Sequence, residues 1–174
     1  MKRVHTFTLV IDGDVGTPEN IDALFEAGCD DATFSHGAMI SYGDFDREAS
    51  SILDALLSAI HAVESVPGLR VRRVDSDDLV TVADIAERLG RTRQSVYQLI
   101  KGERGAGDFP VPVANGRGKA TAWSWADVAA WAGIDHDAEQ ELTISAVNAA
   151  LTLRGARATL KARPIARLLR FAAA

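Results

Sequence analysis

Residues 91–104 carry many side chains that can form hydrogen bonds to nucleic acid. In the DNA major groove, arginine can bind guanine and glutamine can bind adenine through two hydrogen bonds each. The candidates for base contact are therefore Arg93, Gln94 and Gln98. Hydroxyl and cationic side chains also bind the phosphate backbone. The candidates for that second role are Arg91, Thr92, Ser95, Tyr97, Lys101, Arg104, Arg117 and Lys119.

Two short helices are predicted to position these side chains. Thr81, followed three residues later by Asp84, forms an N-terminal capping pattern, and Gly90 stands where the first helix should end. Thr92 is predicted to cap the second helix. One face of that helix is expected to be buried through Val96, Leu99 and Ile100. The opposite, polar face then remains available to a ligand.

A basic hairpin and a third helix are predicted to follow. The sequence from 109 to 133 indicates a strand, a turn at Asn115-Gly116, a second strand and a helix capped by Ser124. Arg117 and Lys119 lie between glycines at the tip of the hairpin. Glycine lets a loop approach a sugar-phosphate backbone closely, so this tip is a candidate phosphate contact.

The elements of residues 79–133 resemble those of a known family. After the two helices come Phe109-Pro110-x-Pro112 and then Trp123-x-Trp125-x-x-Val128-x-x-Trp131. This order is similar to the winged helix-turn-helix domain of the excisionase and AlpA-type group, which is related to MerR regulators. The resemblance implies sequence-specific binding of double-stranded DNA, usually as a dimer or in cooperative arrays.

Residues 1–76 are predicted to form a separate module with the order strand-helix-strand-strand-helix-strand. The first helix should begin after the capping Thr17, and the second should begin after Ser50 or Ser51 and run through Glu64. The buried stripe of the first helix is expected to contain Ile21, Leu24 and Phe25. This order predicts a ferredoxin-like βαββαβ fold, with two helices on one face of a four-stranded antiparallel sheet. The open face of the sheet is expected to serve self-association first and a small ligand second.

Residues 134–174 are predicted to form a C-terminal helical extension. Apolar residues at helical spacing, Ile144, Val147 and Leu151, indicate a packed helix. Residues 143–174 contain 6 basic and no acidic residues, and their last part is amphipathic. We expect this basic tail to pack as a helix on a partner subunit, or else to contact DNA or another protein. The whole chain is therefore predicted to be an α+β protein with three regions.

The charge is divided unevenly along the chain. Its formal net charge is −5. Residues 1–80 contain 6 basic and 15 acidic residues, whereas residues 81–119 contain 7 basic and 4 acidic ones. Residues 81–119, which contain the candidate DNA contacts, are thus basic although the whole protein is acidic. Repulsion between DNA and an acidic N-terminal module would help to orient the protein on the duplex.

Other classes of protein lack support in the sequence. The four histidines show no zinc-ligand spacing, and there is no Walker motif, dinucleotide-binding motif or nucleophile elbow. Cys29 is expected to be a buried apolar residue. No run of apolar residues has the length of a membrane span, and the N-terminus does not resemble a signal peptide. We therefore expect neither enzymatic activity nor a metal, cofactor or membrane partner, and we expect a cytoplasmic location, on the nucleoid when DNA is bound.

The sequence thus favours a bacterial transcriptional regulator that binds double-stranded DNA, expected to act as a homodimer. Two alternatives stay open. One is an antitoxin-like or adaptor protein that binds another protein through its N-terminal module or its basic tail. The other is a regulator that senses a small molecule with the N-terminal sheet.

Overall fold

The computed structural model describes residues 1–37, 40–75, 79–105, 107–113, 121–134, 138–157, 160 and 162–172. In these ranges the protein is a mixed α+β structure with seven helices, a four-stranded antiparallel sheet and a two-stranded sheet. The predicted turn at Asn115-Gly116 and the candidate phosphate contacts Arg117 and Lys119 lie outside the described residues. The chain divides into two compact units, which we call the sheet unit (1–75 and 142–174) and the helical unit (76–141).

The sheet unit contains the predicted order of strands and helices. Its first six elements are β1 (Arg3–Asp12), α1 (Pro18–Glu26), β2 (Ala32–His36), β3 (Ser41–Ala49), α2 (Ile52–Ser65) and β4 (Arg70–Asp75). The strands lie in the order β2-β3-β1-β4, and each neighbouring pair is antiparallel. Strands β3 and β1 thus lie in the middle of the sheet, and β2 and β4 form its edges.

Side-chain caps and an apolar stripe explain the two helices. The hydroxyl of Thr17 accepts a hydrogen bond from the backbone of α1, and the hydroxyl of Ser51 does the same for α2. The core face of α2 consists of six buried residues, namely Ile52, Ala55, Leu56, Ala59, Ile60 and Val63. Cys29 is buried as expected, and burial raises the pKa of its thiol.

The predicted buried stripe of α1 is wrong in two of its three residues. Leu24 is buried, but Ile21 is 50% exposed and Phe25 is 68% exposed. The helix packs on the core through Leu24 together with the small side chains of Ala23 and Ala27. Since successive residues of a helix are rotated by about 100°, this contact turns Ile21 and Phe25 away from the sheet.

The face of the sheet opposite the helices is polar. Thr6 and Thr8 of β1 donate hydrogen bonds to their cross-strand neighbours Asp46 (2.7 Å) and Asp44 (2.6 Å) of β3. Glu48 extends this acidic row because alternate residues of a strand share a face. The same face also carries Val4, which is 56% exposed and lies opposite Glu48, and Arg73, which lies opposite Val10.

Residues 142–174 belong to the sheet unit rather than to a separate extension. They include most of α6 (Ala138–Ala156) and all of α7 (Ala162–Ala172). The predicted stripe of Ile144, Val147 and Leu151 is buried in the same core as the sheet. Asn148 binds the backbone of Val74 at the edge strand β4, with its oxygen accepting from the N–H (2.7 Å) and its amide donating to the carbonyl (3.0 Å). The helix thereby covers an edge that would otherwise present unpaired backbone groups.

The helical unit has its own core. Its elements are β5 (Leu79–Val80), α3 (Val82–Arg88), α4 (Arg93–Ile100), β6 (Trp123–Ser124) and α5 (Trp125–Ala132). All of them contribute to one apolar cluster that includes Val80, Ile85, Ala86, Val96, Trp123, Trp125, Val128 and Ala129. The short sheet joins β5 to β6.

The strand predicted immediately after Phe109 does not form. The described backbone from there to Val113 is irregular, and β6 pairs with β5 rather than with this segment. Pro110 and Pro112 lack the N–H groups that a strand needs for a regular ladder. Val113 supplies one such group, which donates to the carbonyl of Ala122 (2.9 Å). This bond joins the segment after Phe109 to the residue that precedes β6.

Candidate nucleic-acid interface

Local hydrogen bonds determine where α3 begins and where it gives way to α4. The Asp84 carboxylate accepts hydrogen bonds from the backbone N–H (2.8 Å) and the hydroxyl (2.7 Å) of Thr81, which completes the predicted capping box. These two bonds, first the backbone one, lower the pKa of Asp84, and the charges of Arg88 and Arg93 add to the effect. Gly90 then takes a left-handed conformation with φ +60°, as its predicted role as a helix stop requires.

The second helix of this pair separates an apolar face from a polar one. Val96 and Leu99 are buried, and Ile100 is partly buried, as predicted. On the other side Arg93 and Gln94 are exposed, and Tyr97 is 53% exposed. Gln98 is half-buried, so less of its side chain reaches solvent than of the other two candidates for base contact.

The candidates for phosphate contact fall into different environments. Thr92 uses its hydroxyl to accept from the backbone N–H of Ser95 (3.2 Å), so it acts first as the cap of α4. Ser95 itself is half-buried, and Arg91 is exposed in the turn before the helix. Lys101 and Arg104 are exposed after the helix, where Lys101 lies 3.8 Å from the carboxylate of Glu103. Three of the candidate cations for phosphate contact thus lie next to the ends of α4, Arg91 before it and Lys101 and Arg104 after it.

A concave surface joins α4 to the rest of the helical unit. It has a volume of about 310 Å³ and is lined by Thr81, Val82, Ala83, Arg93, Tyr97, Thr121 and Trp123. Arg93 and Tyr97 are one helical turn apart and so lie on the same side of α4. Arg93, a candidate for base contact, and Tyr97, a candidate for phosphate contact, therefore lie beside the start of α3. Thr121 and Trp123, which follow the predicted hairpin, line the same surface.

Two tryptophans anchor the segment that leads into the hairpin. The indole N–H of Trp123 donates to the carbonyl of Pro110 (3.0 Å), and that of Trp131 donates to the carboxylate of Asp108 (2.8 Å). The ring of Phe109 packs edge-on against Trp131, with ring centres 4.9 Å apart, and against Trp123 at 6.3 Å. These contacts explain why the aromatic and proline residues occur together, although sequence analysis did not identify Asp108 as a partner.

Arg88 of α3 is exposed, and it contacts an aromatic ring of another helix. Its guanidinium lies over the ring of Trp125, 4.9 Å from the ring centre. Such a cation–π contact at an exposed site contributes about 0.5–1 kcal/mol. Arg88 therefore links α3 to α5, a role that helical spacing within α3 could not reveal.

Metal and membrane sites are not found in the parts of the chain that the structure describes. There, no group of three histidine, cysteine, aspartate or glutamate side chains is arranged to hold a metal ion. None of the helices in the same ranges is both long enough and apolar enough to cross a membrane.

Comparisons with known proteins return no match for this chain, whether against family models, curated proteins or solved structures. The chemistry and geometry of its own residues are therefore the basis for a function.

Proposed function

We propose that the helical unit is a winged helix-turn-helix domain that binds double-stranded DNA, with α4 as the recognition helix. The supporting observation is the division of α4 into a buried apolar face and an exposed face with Arg93, Gln94 and Tyr97. The helix contains no carboxylate. A polar, cationic helix face without acidic residues is suited to the negative potential of a DNA groove.

In this proposal the two kinds of side chain have different tasks. Arg93, Gln94 and Gln98 read base edges in the major groove. The cations at the ends of α4 and in the hairpin hold phosphates, namely Arg91, Lys101, Arg104, Arg117 and Lys119. Thr92 positions α4 by capping it, and its neighbours Ser95 and Tyr97 contribute further hydroxyl groups. The tryptophan anchors position Asp108 and Pro110, in the segment that leads into the predicted wing.

The proposal assigns the sheet unit to assembly. The strand order supports a ferredoxin-like fold, because α1 and α2 each connect two strands that are not neighbours in the sheet. We propose that this unit joins two copies of the chain. A dimer presents two recognition helices to two half-sites, which increases both affinity and specificity. Such a protein would regulate transcription in a bacterial cytoplasm.

Fluorescence anisotropy tests the DNA-binding proposal. The full-length protein is titrated against fragments of the DNA upstream of its own gene and against random DNA, at two salt concentrations. We expect salt-sensitive binding with a preference for one fragment. Equal, weak binding that salt abolishes for every fragment would reduce the proposal to nonspecific phosphate contact. No binding at low salt would contradict it and favour the protein-adaptor alternative.

Two substitutions separate the proposed roles. Arg93→Ala should reduce the preference for the chosen fragment by roughly 1–3 kcal/mol, because a bidentate base contact is lost. Lys119→Ala should weaken binding to every sequence alike and lower the salt slope by about one. Arg3→Ala, at an exposed position of β1 in the sheet unit, is the control. If Arg93→Ala weakened cognate and random DNA equally, Arg93 would not be a base-reading residue.

A further inference from the structure

The exposed side of α1 combines apolar and acidic residues. Ile21 and Phe25 lie one helical turn apart, and both are largely exposed. The neighbouring exposed positions are Asp22, Glu26 and Glu19, and the helix contains no basic residue. Neighbouring exposed apolar residues rimmed by polar ones are typical of a protein–protein interaction site.

The exposed side of α7 has the opposite charge. Leu168 is 48% exposed and Phe171 is 83% exposed, and with Pro164 and Arg167 they line one shallow concavity. Arg170 is also exposed, and residues 143–174 contain no acidic residue. The α7 surface is therefore apolar and basic, whereas the α1 surface is apolar and acidic.

We propose that α7 of one copy of the chain packs against α1 of a second copy. Leu168 and Phe171 cover the exposed Ile21 and Phe25, and Arg167 and Arg170 lie beside Asp22 and Glu26. The helices have 9 and 11 residues, so their lengths match. Twofold symmetry repeats the contact, because the α1 of the first copy receives the α7 of the second. Four helices then contribute buried area to one interface.

Two other surfaces of the sheet unit fit α7 less well. The groove between α2 and α6 has a volume of about 320 Å³ and is apolar, with Leu53 and Leu57 among its lining residues. No acidic side chain lines this groove, and its Arg154 already binds Glu64, so the groove offers the arginines of α7 no opposite charge. The open face of the sheet is acidic along Asp44 and Asp46, but beside this row β1 exposes the single apolar side chain of Val4, which gives Leu168 less apolar cover than Ile21 and Phe25 together. The α1 surface supplies both the apolar contact and the opposite charge.

The two kinds of contact have different consequences. Burial of the apolar side chains supplies most of the driving force for association. The charged pairs lie at the rim, where they select the partner and increase the rate of association more than they increase affinity. This division makes reversal of charge a sensitive test of which helices meet.

Analytical ultracentrifugation without DNA tests the interface. One variant carries Asp22→Lys and Glu26→Lys on α1, a second carries Arg167→Glu and Arg170→Glu on α7, and a third carries all four changes. We expect a dimer for the native chain, a dissociation constant at least about tenfold higher for the first two variants, and recovery to within about threefold in the third. Asp44→Lys with Glu48→Lys is the matched control, since it makes the same charge change on the open face of the sheet.

The outcomes decide the proposal. A monomeric native chain, a dimer that neither reversal weakens, or a failure of the third variant to recover would each overturn it. Far-ultraviolet circular dichroism on every variant excludes unfolding as the cause of dissociation. Because the assay contains no DNA, its failure would leave the DNA-binding part of the proposed function standing, and failure of DNA binding would leave the interface standing.

Site-specific cross-linking provides a second measurement on the same pair of helices. In a chain with Cys29→Ala, one preparation carries Phe25→Cys and another carries Leu168→Cys, and the two are mixed under oxidising conditions. A mixed disulfide can form only between copies and only if the two positions come within several ångströms. We expect this product, and its absence would contradict the arrangement. If α7 instead carried the chain onto vesicles of anionic phospholipid while the protein stayed monomeric, the basic helix would be a membrane-surface element and the proposal would be wrong.

Discussion

Arg47 of the sheet unit and two arginines of the helical unit are used in opposite ways. In the sheet unit Arg47 is only 8% exposed, forms a two-point contact with the Asp31 carboxylate (2.8 Å for both bonds) and donates to the carbonyl of Gly28 (2.6 Å). In the helical unit Arg91 and Arg93 are exposed and make no ion pair with another residue that the structure describes. Arg47 completes a structure, whereas Arg91 and Arg93 are available to a partner.

This difference shows which cations are candidates for binding. A guanidinium surrounded by acceptors within its own unit has little capacity left for a ligand. Arg154 follows the pattern of Arg47, because it binds both carboxylate oxygens of Glu64 (2.6 and 2.7 Å) and the carbonyl of Val71 (3.2 Å). Charge counts along the sequence do not separate the structural arginines from the available ones, because each arginine contributes equally to the net charge.

The largest expected effect is on Arg47. Arg47→Ala should lower the free energy of unfolding by about 3 kcal/mol, because the Asp31 carboxylate and the Gly28 carbonyl lose their donors. Since Asp31 is partly exposed, we expect the low end of the range for a broken buried pair. Urea unfolding followed by far-ultraviolet circular dichroism measures the change. A loss below about 1 kcal/mol would mean that solvent replaces the contact.

The next largest effect concerns the edge of the sheet. Asn148→Ala should lower the free energy of unfolding by roughly 1–3 kcal/mol, because the Val74 backbone loses both of its partners on α6. Ser145→Ala, at an exposed position of the same helix, should change stability by less than about 0.5 kcal/mol. Equal effects of the two changes in urea unfolding would indicate that solvent replaces the Asn148 side chain at the Val74 backbone.

Loss of an exposed cation beside α4 should change DNA binding rather than stability. Lys101→Ala should leave the unfolding free energy within about 0.5 kcal/mol of the native value, since its contact with Glu103 is exposed and long. The same change should reduce the slope of log affinity against log salt by about one, because one phosphate contact is lost. Anisotropy titrations at several salt concentrations test this, with Arg3→Ala as control. An unchanged slope would remove Lys101 from the proposed interface.

The smallest expected effect is a dependence on pH in the cap of α3. The pKa of Asp84 is lowered in the folded protein, first by the backbone hydrogen bond from Thr81, so the stabilisation is present above the usual aspartate pKa of about 3.9. It is lost as the pH falls through the lowered value. The difference in stability between the native chain and Asp84→Asn should therefore shrink on acidification below about pH 4.

Tryptophan fluorescence can measure this effect in the helical unit. The three tryptophans of the chain are Trp123, Trp125 and Trp131, all within that unit. Asp127→Asn on α5 is a useful control, because its backbone rather than its side chain takes part in the Ser124 cap. A difference between the native chain and Asp84→Asn that did not vary with pH would show that Asp84 does not contribute through its charge.

Much of the candidate interface was predictable because its determinants are local. The caps at Thr81, Thr92 and Ser124 join residues three positions apart, and the apolar stripe of α4 follows helical spacing. The wrong prediction of the buried stripe of α1 also has a physical reason. Ile21, Leu24 and Phe25 fit one stripe by spacing, but the direction of the core is determined by the sheet on which the helix packs, and only Leu24 points there.

The sequence by itself determined the order of the elements, their caps, the break at Gly90 and the concentration of cations around α4. Each of these depends on residues within about one helical turn or one strand of each other. The tertiary structure alone decided that residues 142–174 join the sheet unit, that Asn148 covers the edge at Val74, and that Arg154 meets Glu64. These partners are 74 and 90 positions apart, and no local periodicity specifies which distant donor reaches a given acceptor. Only the packing of the core brings them within hydrogen-bonding distance.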